Sequence, residues 1–194
     1  MSTNKRLIVI AGPSGSGKDT IARELIKRFK NVELMVTATT RAARAGEQNG
    51  VNYYFFTKEQ FQQELAKGNI VEYYHRVDTD TYYGTYKPDV EARFATGKNV
   101  IAIVQIVGAK YLKENYNAIT FFIMPPEIGA FEKRIRARSQ MSDVEWGERR
   151  RITEEEIKND ALWYDYCVTN EDGKLEQAVE QVVGILKTEG YKLE

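Results

Sequence analysis

The stretch Gly12-Pro13-Ser14-Gly15-Ser16-Gly17-Lys18 carries the strongest chemical signal in the chain. Glycines at 12, 15 and 17 let successive backbone N–H groups turn into one concavity, and the helix that follows would add its positive end, which together make a cradle for polyphosphate. Lys18 extends from that cradle as a point charge for the β- and γ-phosphates and for the group in transfer. The residue after such a lysine ordinarily supplies a hydroxyl to Mg²⁺. Here it is Asp19, followed by Thr20, and either oxygen type suits that hard cation. Asp19 equally suits the first turn of a helix, where the macrodipole favours a carboxylate, so both readings stand.

A second anion site is spaced for a single phosphate. The run from Thr37 to Tyr53 holds Arg41 and Arg44 three residues apart, then Glu47, then Tyr53. Forked guanidiniums would grip the phosphate, Glu47 would fix one of them, and Tyr53 would donate its hydroxyl. Downstream, Glu72 can accept N–H bonds from a purine edge, and Tyr83-Gly84-Thr85 can reach the same ligand. Taken singly, these residues also fit ordinary strand composition. Two phosphate sites imply phosphoryl transfer. A third cationic group lies at Arg134, Arg136, Arg138 and Arg149 to Arg151. Arg134 and Arg138, four apart, share a helical face; they either close over phosphates or pair in solvent with Glu132 and Glu148.

Positioning these groups requires rigid elements. Apolar runs at Leu7 to Ala11, Val100 to Val104, Ala118 to Met124 and Tyr166 to Thr169, with a fifth at Leu34 to Ala38, read as strands buried on both faces, the pattern of a parallel sheet. Helical patterns follow at Asp19 to Phe29, Pro88 to Ala95, Pro126 to Arg138, about Asp143 to Leu162, and Leu175 to Lys187. Strand and helix alternate, which predicts a doubly wound α/β core. Residues 39–86 break the rhythm: they are Tyr-rich and alternating, with one helix at Lys58 to Lys67 behind the capping pattern Thr57-x-x-Gln60. This segment reads as a small antiparallel sheet inserted into the core. The charged stretch 131–158 reads as a mobile helical flap.

Composition limits the remaining classes. The 194 residues suggest one domain with inserted parts. Lys+Arg and Asp+Glu both number 28, so binding to nucleic acid over a broad basic face is disfavoured, and an anionic ligand must be met locally. The apolar run before Gly12 is too short for a signal peptide or a membrane span. A single cysteine, Cys167, excludes an intramolecular disulfide framework, which points to a reducing, cytoplasmic setting; it reads as a small buried hydrophobe. The one histidine, His75, lacks the partners of a triad and reads as structural or solvent-facing. Trp146 and Trp163 read as packing residues.

These motifs, in this order, make the chain resemble the guanylate kinases. The resemblance rests on Gly12-Pro-Ser-Gly-x-Gly-Lys, on Thr39-Thr-Arg41-x-x-Arg44-x-Gly-Glu47-x-x-Gly50-x-x-Tyr53, on Glu72 and Tyr83-Gly-Thr85, and on Pro125-Pro126, the flap arginines and Tyr164-Asp-Tyr-x-x-x-Asn170-x-Asp172. It implies a P-loop NTPase-type doubly wound parallel sheet with helices on both faces. Residues 1–38 and 87–194 would form the core, with a helical lid at about 131–158, and 39–86 a small mixed α/β acceptor-binding subdomain. It implies transfer of the γ-phosphate of ATP, with Mg²⁺, to a nucleoside monophosphate, GMP or dGMP foremost, by an enzyme acting as a monomer or homodimer. By the same resemblance Arg41, Arg44, Tyr53 and Tyr83 hold the acceptor phosphate and Thr37 and Glu72 meet the base. Arg134, Arg138 and one of Arg149 to Arg151, Arg149 by spacing, close over the phosphates, and Asn170 lies near the adenine.

The chain departs from the family pattern at one strand end. Guanylate kinases usually carry two aspartates there, one residue apart, and a glycine three residues on. This chain has Ile103, Gln105 and Gly108. Gln105 keeps a carbonyl oxygen for a base N–H but loses the charge, which weakens that bond. Asp19 would then supply from the other side the metal-site carboxylate that the strand end lacks. Gly-Lys-Asp in the loop without the aspartate pair also resembles the ribose 1,5-bisphosphate phosphokinases. A further alternative is a phospho-ligand binding module without catalysis.

Overall fold

The computed structural model describes residues 6–126 and 143–194. Its centre is a strand of five apolar residues, β1 (Leu7–Ala11), buried throughout. Such a strand needs cover on both faces. In the central sheet it is flanked by β7 (Asn99–Ala102) and β8 (Ile119–Met124), with β2 (Val32–Leu34) and β9 (Tyr166–Thr169) at the edges. All four pairings are parallel. Connections from β1 run to one side through β2 and β7 and to the other through β8 and β9, so the C-terminal end of β1 is a topological switch point, where open α/β sheets bind ligands.

Alternation along β1 sorts the two faces. Ile8 and Ile10 pack beneath α1 (Lys18–Arg28) and α6 (Leu175–Thr188) through Ile21, Leu25, Val179 and Val182. Leu7, Val9 and Ala11 face the other way, against α3 (Lys87–Ala95) and α4 (Ile106–Tyr116) through Val90, Ala109 and Leu112. The chain is therefore α/β with helices on both faces, as expected.

The strand expected at Leu34 to Ala38 is split between two sheets. β2 ends at Leu34, Met35 N–H still donates to Ile101 O at 2.7 Å, and the chain then crosses to β3 (Ala38–Thr39). There it joins a four-stranded sheet ordered β4-β3-β6-β5, built from β4 (Tyr54–Phe55), β5 (Ile70–Arg76) and β6 (Thr81–Tyr86). This sheet is mixed, not antiparallel: β3 pairs with β4 in parallel and with β6 antiparallel. The loop 40–53 is long enough to bring the chain back in the same direction, which a tight hairpin cannot do. Helix α2 (Lys58–Ala66) starts on the expected capping box, with Gln60 N–H donating to Thr57 Oγ1 at 3.2 Å and Thr57 N–H to Gln60 Oε1 at 2.8 Å. Its Phe61 is buried with Ala38 and Ile70 in a separate core under this sheet.

Helix α4 is an addition to the sequence reading. Its opening residues, Ile106 and Val107, favour strands, and its N-cap, Gln105, makes no side-chain capping bond. The helix expected over Pro126 to Arg138 lies, after its first residue, outside the described residues. The pattern from Asp143 becomes α5 (Asp143–Asp160), followed by a 3₁₀ turn at Ala161–Trp163.

Candidate active site

The glycine loop leaves the end of β1 at the switch point. Gly12, Gly15 and Gly17 take φ of 139°, 87° and 90°, backbone conformations that side chains resist. At Gly12 an added Cβ would lie 2.4 Å from the carbonyl oxygen of Ile123, so bare backbone is required there. Gly17 is the N-cap of α1 and no side chain caps that helix, leaving its positive end to a ligand. Lys18 bends back over the loop and donates to Pro13 O at 3.4 Å, with its ammonium 3.8 Å from the Asp19 carboxylate. Ser14 is exposed and Ser16 fully buried, its hydroxyl unpaired.

Asn170 braces this loop. Its amide donates to Ser16 O at 2.8 Å and sits where a side chain at Gly17 would otherwise stand, while its own N–H donates to Met124 O. The side chain is buried against the loop backbone and shapes the cradle from behind.

The second sheet and its loop assemble the clamp. One oxygen of Glu47 accepts from the Arg41 guanidinium at 2.8 Å and the other from the Arg44 backbone N–H at 2.7 Å, so this carboxylate fixes the Arg41 side chain and the loop backbone at Arg44. Those two bonds, Arg41's first, hold the Glu47 carboxyl below its ordinary value, and the same bond holds the Arg41 guanidinium above its own. Arg41 lies over the rings of Tyr53 and Phe55, 5.4 Å and 5.6 Å from their centroids. Phe55 was not among the expected site residues, although its two-residue spacing from Tyr53 signals a shared strand face. The Arg44 side chain is exposed. Tyr53 meets Tyr83 edge to face at 6.1 Å. Burial, with the neighbouring Tyr83, raises the Tyr53 phenol, and Arg41 pulls the other way.

Glu72 lies beside the clamp on β5. Its Oε1 accepts from Thr85 N–H at 3.1 Å and Thr85 Oγ1 at 2.5 Å. Burial pushes its carboxyl above the ordinary range and the Thr85 bonds pull the other way. Thr85 is itself fully buried and serves Glu72. Thr37 is half-buried in the crossing, where its carbonyl accepts from Tyr54 N–H. Gln105 is exposed at the start of α4.

Asp89 shapes the cleft without a signal in the sequence, where it reads as an ordinary first-turn acid. It is 3% exposed. It accepts from Val36 N–H at 2.8 Å in the crossing, from Tyr54 OH at 3.1 Å in β4, and pairs with Arg93, which also reaches Glu33 of β2. One carboxylate thus ties both sheets together.

Arg134 and Arg138 lie outside the described residues, and Arg149 lies on α5. Arg150 and Arg151 pair with Glu154 and Glu155 one turn on, at 2.8 Å and 2.9 Å. Cys167 is exposed rather than buried, because β9 is an edge strand and this residue faces outward. His75 stacks on Tyr82 at 4.3 Å and bonds Asp80, a structural role. Trp146 is buried and Trp163 half-buried. Among the described residues no helix is long and apolar enough to cross a membrane.

A glycine loop at the switch point of an all-parallel central sheet, with its lysine turned over the cradle, and an arginine clamp carried by a second sheet define a P-loop kinase. The sequence model of the guanylate kinase family matches residues 4–189. A guanylate kinase of Carboxydothermus hydrogenoformans is 39% identical over 96% of this chain and 89% of its own, and one of Synechocystis is 36% identical over 97% and 96%. The crystal structure of a guanylate kinase from Anaplasma phagocytophilum superposes with a TM-score of 0.75 at 26% identity, covering 98% of this chain and 88% of that one. The chain belongs to the guanylate kinase family.

Proposed function

We propose that this protein transfers the γ-phosphate of ATP to GMP or dGMP. The observation that carries the reading is the pairing of an uncapped glycine loop, with Lys18 turned over it, and a second sheet whose loop holds the Glu47-braced Arg41, since phosphoryl transfer needs a site for each of two phosphates. Residues 1–38 and 87–194 form the ATP-binding core and 39–86 the acceptor unit. The loop residues Gly12, Ser14, Gly15, Ser16, Gly17 and Lys18 cradle the donor phosphates, with Asn170 behind them. Arg41, Arg44 and Tyr53 with Tyr83 grip the acceptor phosphate, and Glu47 aims Arg41 and holds the loop at Arg44. Thr37, Glu72 and Gln105 meet the base, with Thr85 holding Glu72.

The acceptor phosphate is already largely ionised at neutral pH, with a second pKa of about 6, so no strong base is required. Catalysis is then alignment and charge neutralisation. The repulsion of two phosphates amounts to several kcal/mol at intermediate dielectric, about 4 kcal/mol per pair of unit charges. Lys18 offsets it from the loop, and Arg134, Arg138 and Arg149, the first two outside the described residues, would supply further positive charge. The setting is purine nucleotide metabolism in the cytoplasm, by a monomer or homodimer that needs neither nucleic acid nor membrane.

Mg²⁺ fits the residues present. Asp19 carries a carboxylate whose side chain is 66% exposed, and Thr20 Oγ1 accepts a single bond, from Arg23 at 3.4 Å. Among the described residues no cluster of three His, Cys, Asp or Glu side chains stands ready for a metal, so Asp19 and Thr20 would hold it together with ligand oxygens, as Mg²⁺ commonly is held. When bound, the ion neutralises charge on the donor phosphates. Asp19→Ala should raise the Mg²⁺ concentration for half-maximal rate by about tenfold or more while leaving nucleotide affinity in EDTA unchanged. An unaltered Mg²⁺ dependence would remove Asp19 from the metal site.

The function itself is tested by a coupled assay of ATP-Mg²⁺ against GMP, dGMP, AMP, UMP, CMP, dTMP and ribose 1,5-bisphosphate. GMP as the best acceptor is the expected result. Activity confined to the sugar phosphate, which Gly17-Lys18-Asp19 brings into question, overturns it.

A further inference from the structure

Glu72 occupies an irregular place in its strand. The register of β5 against β6 shifts by one residue between Ile70, opposite Tyr86, and Tyr73, opposite Gly84, and Glu72 lies in the bulge between them. A bulge breaks the two-residue alternation and re-aims a side chain. The strand backbones crowd there: a Cβ at Gly84 would stand 2.8 Å from Glu72 O. The re-aimed side chain runs out of the second sheet toward the central one and ends on α4. At Gly108, in the first turn of α4, an added Cβ would meet Glu72 Oε1 at 2.8 Å and Glu72 Cδ at 3.3 Å. Gly108 is buried and its φ is not of the left-handed kind that favours glycine, so backbone conformation does not account for glycine there.

Oε1, the oxygen that touches Gly108, is also the one that takes both Thr85 bonds. It is pinned from the strand side and seated against bare helix backbone on the other. Among the described residues Oε2 accepts no hydrogen bond, and it is the oxygen left for a ligand N–H. We propose that Gly108 is a positioning residue for acceptor recognition: the absence of a side chain lets Glu72 seat against α4, and any larger residue turns Oε2 away from the acceptor base. This rests on the assignment of Glu72 to the base. Gly108 touches neither substrate phosphate and acts only through Glu72.

The test is a double-mutant cycle read as KM for GMP, KM for ATP, and the ratio of KM for IMP, which lacks the 2-amino group, to KM for GMP. Gly108→Ala should raise KM for GMP about tenfold and bring the IMP to GMP ratio near one, with KM for ATP within about twofold of the parent. Glu72→Ala should do the same, and Gly108→Ala added to Glu72→Ala should change little further, because coupled residues are not additive. Equal effects of Gly108→Ala with and without Glu72, or no effect of Gly108→Ala alone, would overturn the inference and leave the base assignment standing. No effect of Glu72→Ala on KM for GMP would show that the base assignment itself fails, and the inference with it. Should Gly108→Ala not fold, Glu72→Ala in the same chain should restore folding by removing the atoms in conflict. Failure to restore it would place the conflict at Val104 Cβ, 2.9 Å from the same position, and overturn the proposal.

Discussion

Replacing Lys18 by Ala should lower kcat by about 10³-fold, the scale seen when a charge-stabilising group is taken from a transferring phosphoryl or acyl centre. The structure prepares that lysine before any ligand arrives. Its ammonium is bent back onto Pro13 O at 3.4 Å and its side chain is only 19% exposed, so little reorganisation is left for the reaction itself. Lys18→Arg should restore little, because the planar fork is longer and is shaped for bidentate contacts, whereas the loop presents a point-charge position. Steady-state kinetics with ATP-Mg²⁺ and GMP check this, alongside equilibrium binding of GMP. Activity within tenfold of the parent would remove Lys18 from the chemistry. Loss of turnover with GMP binding intact also separates an enzyme from a phospho-ligand binding module, which would keep its binding without needing Lys18.

Asp89→Ala should be the most destabilising single change, about 3–5 kcal/mol, since breaking a buried charged network leaves its partners unpaired. Val36 N–H and the Tyr54 hydroxyl would lose their acceptor at once, and Arg93 would be left with Glu33 alone. For a chain of this length that corresponds to a fall in Tm of about 6–20 °C. Asp89→Asn keeps one carbonyl oxygen for Val36 N–H and should lie between the parent and the alanine variant. Thermal unfolding followed by circular dichroism measures all three. A loss below about 1 kcal/mol for the alanine variant would mean that water replaces the carboxylate and that the sheets are not tied there.

The sequence carried the parts of the molecule whose physics is local. Leu7–Ala11 and Tyr166–Thr169 are strands with the expected bounds, because continuous apolar runs between turn residues admit few alternatives. The Thr57 capping box and the glycine loop are equally local. Elements decided by distant partners were not legible. Helix α4 opens on Ile106 and Val107, and its first turn is shaped by Glu72 from another sheet, more than thirty residues earlier in the chain. The run from Leu34 to Ala38 is uniformly suited to a strand, yet Asp89 draws Val36 into a crossing between sheets. The parallel pairing of β3 with β4 depends on how the 40–53 loop folds around Glu47. At the site, the clamp was visible as spacing, whereas Asp89 shows its role only through what it touches.

The anchoring of Val36 by Asp89 has an evolutionary meaning. The chain leaves the central sheet at residue 36 and re-enters it through the helix that starts at Lys87, whose first turn holds the carboxylate that binds Val36. Exit and re-entry therefore meet at one point, and everything between them is a cassette. Exchange of residues 38–86 by recombination would leave the strand order of the central sheet unchanged, while Thr37, Gln105 and Gly108, proposed above to act on the acceptor base, would stay behind. Under the proposed site, acceptor choice would then diversify by segment replacement together with change at those few core positions.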